Sequence, residues 1–308
     1  MLLIIPIIPP LIHLCRTVVT SPDYYGQCLS GSAGDDTPST GDDTPSTGDD
    51  TPSSGDDSAP SPTAVVVTTQ ADLTANLKSD TTIELGADIT LAESAITIDG
   101  PTGLTICGAG KYTLSGAGSE HVFIIKSGQV RIQNMTVADG TTTVNGGGFD
   151  ISGGDITLFN VAVVNNTAPL GMGGGLYMTN GQLSVVASTF SGNQANYGGG
   201  FYFSGATMTM ANSDVSSNVA TSFGGGARVS GGTVSVTSST FRSNAAKGYS
   251  NSGGGGLQMD SGTVTMDSCV VAENSATDKG GGVLLTSEWP TLNVVGVHLA
   301  VFINSLRH

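Results

Sequence analysis

The sequence predicts an all-β fold, a right-handed parallel β-helix, on three observations. Glycine triplets end at Gly148, Gly175, Gly200, Gly226, Gly256 and Gly282. An Asn stands eighteen residues after each of the first five, at Asn166, Asn193, Asn218, Asn244 and Asn274, while the stretch from each Asn to the next triplet varies. Within the constant arc, apolar residues recur one, three, eight, ten and fifteen positions beyond the last glycine.

The first such set is Phe149, Ile151, Ile156, Leu158 and Val163; the next is Leu176, Met178, Leu183, Val185 and Phe190. A preceding unit, Phe123, Ile125, Val130, Ile132 and Val137, fits the same template. Alternation in short bursts is a strand signal, because successive side chains on a strand point to opposite faces. Three strands per unit of 25 to 30 residues are each too short to fold alone. A coil with three faces solves this by stacking, with equivalent strands parallel and about 4.8 Å apart. The connection rule makes the winding right-handed.

The repeated Asn is read as structural. It closes the third strand at a corner that requires φ > 0, a conformation open to Gly and less readily to Asn or Asp. Gly140 holds the equivalent place in the first unit, which a backbone role allows and a catalytic side chain would not. Stacked Asn side chains also hydrogen-bond from coil to coil. The triplets relieve a second corner, where the variable connection rejoins the sheet.

Five segments follow along the chain. Residues 1–21 read as a secretory signal: "MLLIIPIIPPLIHLC" is apolar but short, and Pro6, Pro9 and Pro10 exclude a spanning helix. Residues 22–63 form an acidic linker built on the repeat "GDDTPST", which has almost nothing to bury and stays extended. Residues 64–121 hold an N-terminal cap with the opening coils, including one short helix over Ala71 to Leu77. Regular coils occupy 122–292, and 293–308 form an irregular tail. That ending leaves the last coil uncapped, which leads to the expectation of an incomplete gene product.

Composition narrows the function classes. A net charge of −15 argues against nucleic acid or an anionic membrane as partner, although eight aspartates of the linker carry much of it. Cys15, Cys28, Cys107 and Cys269 are too widely spread for a disulfide framework or a metal site, and Cys269 falls on a core position. The glycine triplets lack the Lys-Ser/Thr of a phosphate loop, and no cofactor is expected. For catalysis, the coils offer one histidine, His121, and outward acids Asp139, Asp155, Asp214, Asp267 and Glu273 scattered over different faces. No adjacent turns present two acids and a base together, so no catalytic residue is assigned.

The pattern "FxxN" followed by "GG" and an apolar residue, as in "FSGN…GGGF" and "FRSN…GGGL", resembles the repeat of the chlamydial polymorphic outer-membrane proteins. The stretch "ITIDGPTGLTICGAGKYTLSGAG" resembles the opening coils of the wider pectin-lyase-like superfamily. The resemblance runs from about Ala64 to Leu292 and implies a secreted or outer-membrane surface protein used in adhesion. Those proteins carry a C-terminal membrane barrel, which this sequence does not show. The same scaffold hosts polysaccharide lyases and hydrolases, so a carbohydrate-active enzyme is one alternative and a structural wall or coat component another.

One outward column invites binding. The second residue after each triplet reads Asp150, Tyr177, Tyr202, Arg228 and Gln258 on consecutive turns. Two stacked tyrosines flanked by an acid and an arginine suit a glycan or a cell-surface protein, through ring stacking and planar hydrogen bonds. The plain alternative is cross-turn stabilisation of a solvated sheet. Two sequons, at Asn134 and Asn165, mark candidate glycosylation sites.

Overall fold

The computed structural model describes residues 64–300 apart from 93, 119, 249–252 and 287–289, together with the backbone of 303–305. The signal over 1–21 and the linker over 22–63, with Cys15 and Cys28, lie outside the described residues. The chain winds into a right-handed parallel β-helix whose equivalent strands pair turn on turn. On the first face, Phe123–Ile125, Phe149–Ile151, Leu176–Met178 and Phe201–Phe203 follow one another in register, and the face continues through Ala227–Thr237, Leu257–Asp267 and Val283–Leu285. The second face runs Asp155, Gln182, Thr207, Thr233 and Thr263 without a slip, and the third pairs Val163, Phe190, Val215, Phe241 and Val271.

Every apolar position of the template points inward. Phe149, Leu176 and Phe201 sit one above the other and are buried, as are Ile156, Leu183 and Met208 on the second face. The rings of Phe123 and Phe149 stack with centroids 5.2 Å apart and planes 7° apart. Each such side chain contributes roughly 1.5–3 kcal/mol by leaving water. The N-terminal helix spans Gln70–Ala75, starting one residue before and ending two before the predicted bounds. Thr69 caps it by accepting from the Asp72 amide, and Leu73 anchors it in the core.

The stretch from Asn to triplet is not a plain connection, as the three-faced coil supposes. Thr167–Met172, Gln194–Tyr197, Val219–Phe223, Ala245–Ala246 and Ser275–Ala276 form a fourth parallel row with its own sheet. Its inward residue is an alanine two places after each Asn: Ala168, Ala195, Ala220 and Ala246 are all buried. Insertions are absorbed after this row's first two residues, where the register shifts.

The repeated Asn is also placed differently from the expectation. The residue with φ > 0 is the one before it: Asp139, Asn165, Gly192, Ser217, Ser243 and Glu273 have φ between 54° and 66°. Ser and Glu occupy this conformation here, so the corner does not select its residue by backbone freedom alone. Neither Gly140 nor any of the five repeated asparagines is left-handed.

What selects the Asn is its side chain. Asn218 Oδ1 accepts from the Asn193 backbone amide and from Asn193 Nδ2, both at 3.0 Å. Its own Nδ2 donates to the Phe190 carbonyl at 2.9 Å and to Asn244 Oδ1 at 3.0 Å. Asn166, Asn193, Asn244 and Asn274 continue the row, and Gly140 joins it with its backbone N–H on Asn166 Oδ1. Both hydrogens and both lone pairs of the buried amide are thus used, which removes the desolvation penalty of burying it.

A second row, at the corner between the second and third faces, repeats the device with hydroxyls. Ser188, Ser213 and Ser239 follow left-handed Ala187, Asn212 and Ser238. The amides of Val161, Ser188 and Ser213 donate to the serine of the next turn. Cys269 takes the next place, buried and free, with its thiol on the Asp267 carbonyl at 3.2 Å. Cys107 is disulfide-bonded, so wide spacing along the chain does not keep that cysteine unpaired.

Candidate functional site

Alternation on the first face turns its middle residue outward, and register aligns Asp150, Tyr177, Tyr202, Arg228 and Gln258 on five consecutive turns. Tyr177 and Tyr202 stack with centroids 5.6 Å apart. The column is less open than the sequence suggests. Tyr202 is 7% exposed and Gln258 only 2%, while Asp150, Tyr177 and Arg228 are half-buried.

The cover comes from the end of the fourth row. Met172, Tyr197 and Phe223 stand in register three positions before the last glycine of their triplets, and the bridges continue through Gly253 to Lys279. Tyr197 and Phe223 stack at 5.9 Å with planes 7° apart. Between this row and the column lies the Arg228 guanidinium, 4.6 Å from the Tyr197 ring, 5.4 Å from Phe223 and 5.8 Å from Tyr202. Sequence reasoning missed this overhang, whose only signal is the aromatic residue preceding the triplet in "NYGGG" and "SFGGG".

A polar network fastens the far end. Arg228 Nε donates to Asp260 Oδ2 at 2.7 Å, and Asp260 Oδ1 accepts from Gln258 Nε2 at 2.8 Å and Thr286 Oγ1 at 2.7 Å. Beside it opens a pocket of about 250 Å³, bounded by Phe223, Arg228, Gln258, Asp260, Leu284 and Thr286, with Lys279 at its side.

At the near end, burial pushes the Asp150 carboxyl up, and the His121 ring nearby opposes this. Burial also raises the Tyr177 phenol, helped by Tyr202 and Asp150. His121 is buried, with Nδ1 2.8 Å from the Gly146 carbonyl and Nε2 3.3 Å from Thr142 Oγ1.

The remaining acids stay apart from this column. Asp214 binds Arg242 at 3.2 Å and accepts from Ser216, Asp139 and Glu273 occupy third-to-fourth-face corners, and Asp267 accepts from Ser268. Among the described residues no three His, Cys, Asp or Glu side chains gather as metal ligands, and no helix is long and apolar enough to cross a membrane. Of the two sequons, Asn165 is exposed at its corner, whereas Asn134 is half-buried and accepts from Asn160 Nδ2.

A family model described as "Right handed beta helix region" matches residues 120–296. The chain belongs to this family. The match identifies the right-handed β-helix itself, without the narrower chlamydial or pectin-lyase-like assignment that the repeat resembles. No curated protein matches. Among solved structures, "L. reuteri 53608 SRRP" superposes with a TM-score of 0.33 and 13% identity, over 75% of this chain and 99% of that one. Superposition this loose equates no residue of the β-helix with a counterpart.

Proposed function

We propose that this β-helix is a secreted or cell-surface protein that recognises glycans or cell-surface proteins through its first face, without catalysis. The observation that carries the reading is the half-exposed Tyr177 ring stacked on Tyr202 in an aligned column that begins at Asp150. A flat aromatic surface beside a carboxyl suits the C–H face and hydroxyl edge of a sugar. The Cys107 disulfide supports an oxidising compartment. The test is binding of the purified protein to a glycan array and to cells, with Tyr177→Ser as the variant. Saturable binding that the variant loses supports the reading, and equal binding by both overturns it. Release of unsaturated or reducing ends from uronic-acid polymers, with or without calcium, would instead support a carbohydrate-active enzyme.

A further inference from the structure

The overhanging row of Met172, Tyr197, Phe223, Gly253 and Lys279 lacks a side chain at one place only, Gly253. There the row supplies no side chain of its own, and the 250 Å³ pocket lies between its neighbours Phe223 and Lys279. Leu284 turns into part of the space: a Cβ on Gly253 would collide with Leu284 Cδ2.

At the pocket wall stands Gln258, whose side-chain carbonyl is buried and has no hydrogen-bond partner. Its orientation is not arbitrary. Nε2 donates to Asp260 Oδ1, and a flipped amide would set carbonyl against carboxylate. Asp260 is in turn held by Arg228 and Thr286, so the unmatched Oε1 is fixed by three neighbouring contacts. A buried acceptor without a donor is costly and calls for an explanation, and a donor supplied from the pocket provides one.

We propose that this pocket is a subsite for one uncharged sugar ring, with a ring hydroxyl donating to Gln258 Oε1. The assignment rests on the glycan reading above and deepens it. Phe223 and Leu284 offer apolar surface to the C–H face, and Thr286 and Gln258 offer polar atoms to the edge. The volume suits one ring rather than a larger ligand. Next to Oε1 an anionic ring is disfavoured, because Arg228 is already engaged by Asp260 and both Oε1 and that carboxylate repel a second acid, even with Lys279 elsewhere in the lining. Oε1 is shielded from bulk water, so side chains of the pocket wall must shift to admit the hydroxyl.

The experiment titrates the full chain with glucose, galactose, mannose, N-acetylglucosamine and galacturonic acid, followed by saturation-transfer NMR. It compares wild type with Gln258→Met, which keeps the length and removes the acceptor, and with Tyr177→Ser. The expected result is saturable binding of a neutral sugar, about tenfold weaker in Gln258→Met. Gln258→Met should unfold at the same temperature or higher, showing that the loss is not misfolding. Equal binding by wild type and Gln258→Met, binding of galacturonic acid alone, or no binding overturns the subsite. Array binding lost in Tyr177→Ser but kept in Gln258→Met sinks the subsite and leaves the recognition reading standing. A neutral sugar that needs Gln258, with no array or cell binding, keeps the subsite and sinks that reading.

Discussion

The side-chain amide of Asn193 closes onto Gly175, eighteen residues earlier on the same turn: a methyl group on the glycine would lie 3.0 Å from the amide carbon and nitrogen. The same pairing joins Gly148 to Asn166, Gly200 to Asn218, Gly226 to Asn244 and Gly256 to Asn274. The constant interval in the sequence is therefore the length of chain needed to bring each turn back upon itself. The glycine leaves the space that the amide row occupies.

Removing the amide should cost more than filling the space. Asn193→Ala orphans the Asn166 backbone amide and takes a donor from the Val163 carbonyl, and is expected to destabilise by about 3 kcal/mol in urea unfolding. Gly175→Ala must displace packed backbone and is expected to cost about 1–3 kcal/mol. An Asn193→Ala variant as stable as wild type would show that the row is not a source of stability.

The arginine beneath the overhang gives a second test. Arg228→Ala loses its pair with Asp260 and three ring contacts, and should lower stability by about 2–4 kcal/mol. Arg228→Lys should recover only part of this, since an ammonium lacks the planar face that lies against Tyr197. Urea unfolding with near-ultraviolet circular dichroism follows both the loss and the ring environment.

Acid titration should expose Asp150. Burial raises its carboxyl, so in the window above the ordinary aspartate value the folded chain binds more protons than the unfolded one. Its contribution to stability is fully present below the unfolded pKa and is lost as pH rises through the folded one. Asp150→Asn should flatten this part of a melting-temperature profile between about pH 3 and pH 7 and raise stability at neutral pH. An unchanged profile would remove Asp150 from the account.

The two described cysteines should behave oppositely. Burial pushes the Cys269 thiol up, so iodoacetamide should label it only after unfolding, and Cys269→Ser should be tolerated within about 1 kcal/mol because serines fill the same row. Cys107 should resist labelling until a reductant is added, even in denaturant. Peptide mass spectrometry reads both.

Much of the winding was legible because its signal is local. Phe149, Ile151, Ile156, Leu158 and Val163 announce their faces by alternation, and like residues stack above them. The fourth row was not, because one inward alanine per turn, as at Ala195 or Ala220, makes no alternation. The Asn corner was located and its turn-to-turn side-chain hydrogen bonds were anticipated, but φ > 0 was put on the Asn itself, since the left-handed residue before it varies from Gly192 to Ser217 to Glu273 and leaves no motif. The column from Asp150 to Gln258 was aligned correctly, yet its cover by Tyr197 and Phe223 depends on how variable segments fold back, which periodicity does not encode.

The asparagine row has a sense of direction. Each Oδ1 receives from the turn before, and one hydrogen of each Nδ2, from Asn166 to Asn244, reaches toward the turn after. The carbonyl dipoles accordingly add rather than cancel, and neighbours polarise one another along the stack. The solenoid thereby acquires an electrical axis from neutral side chains, negative toward Asn166 and positive toward Asn274.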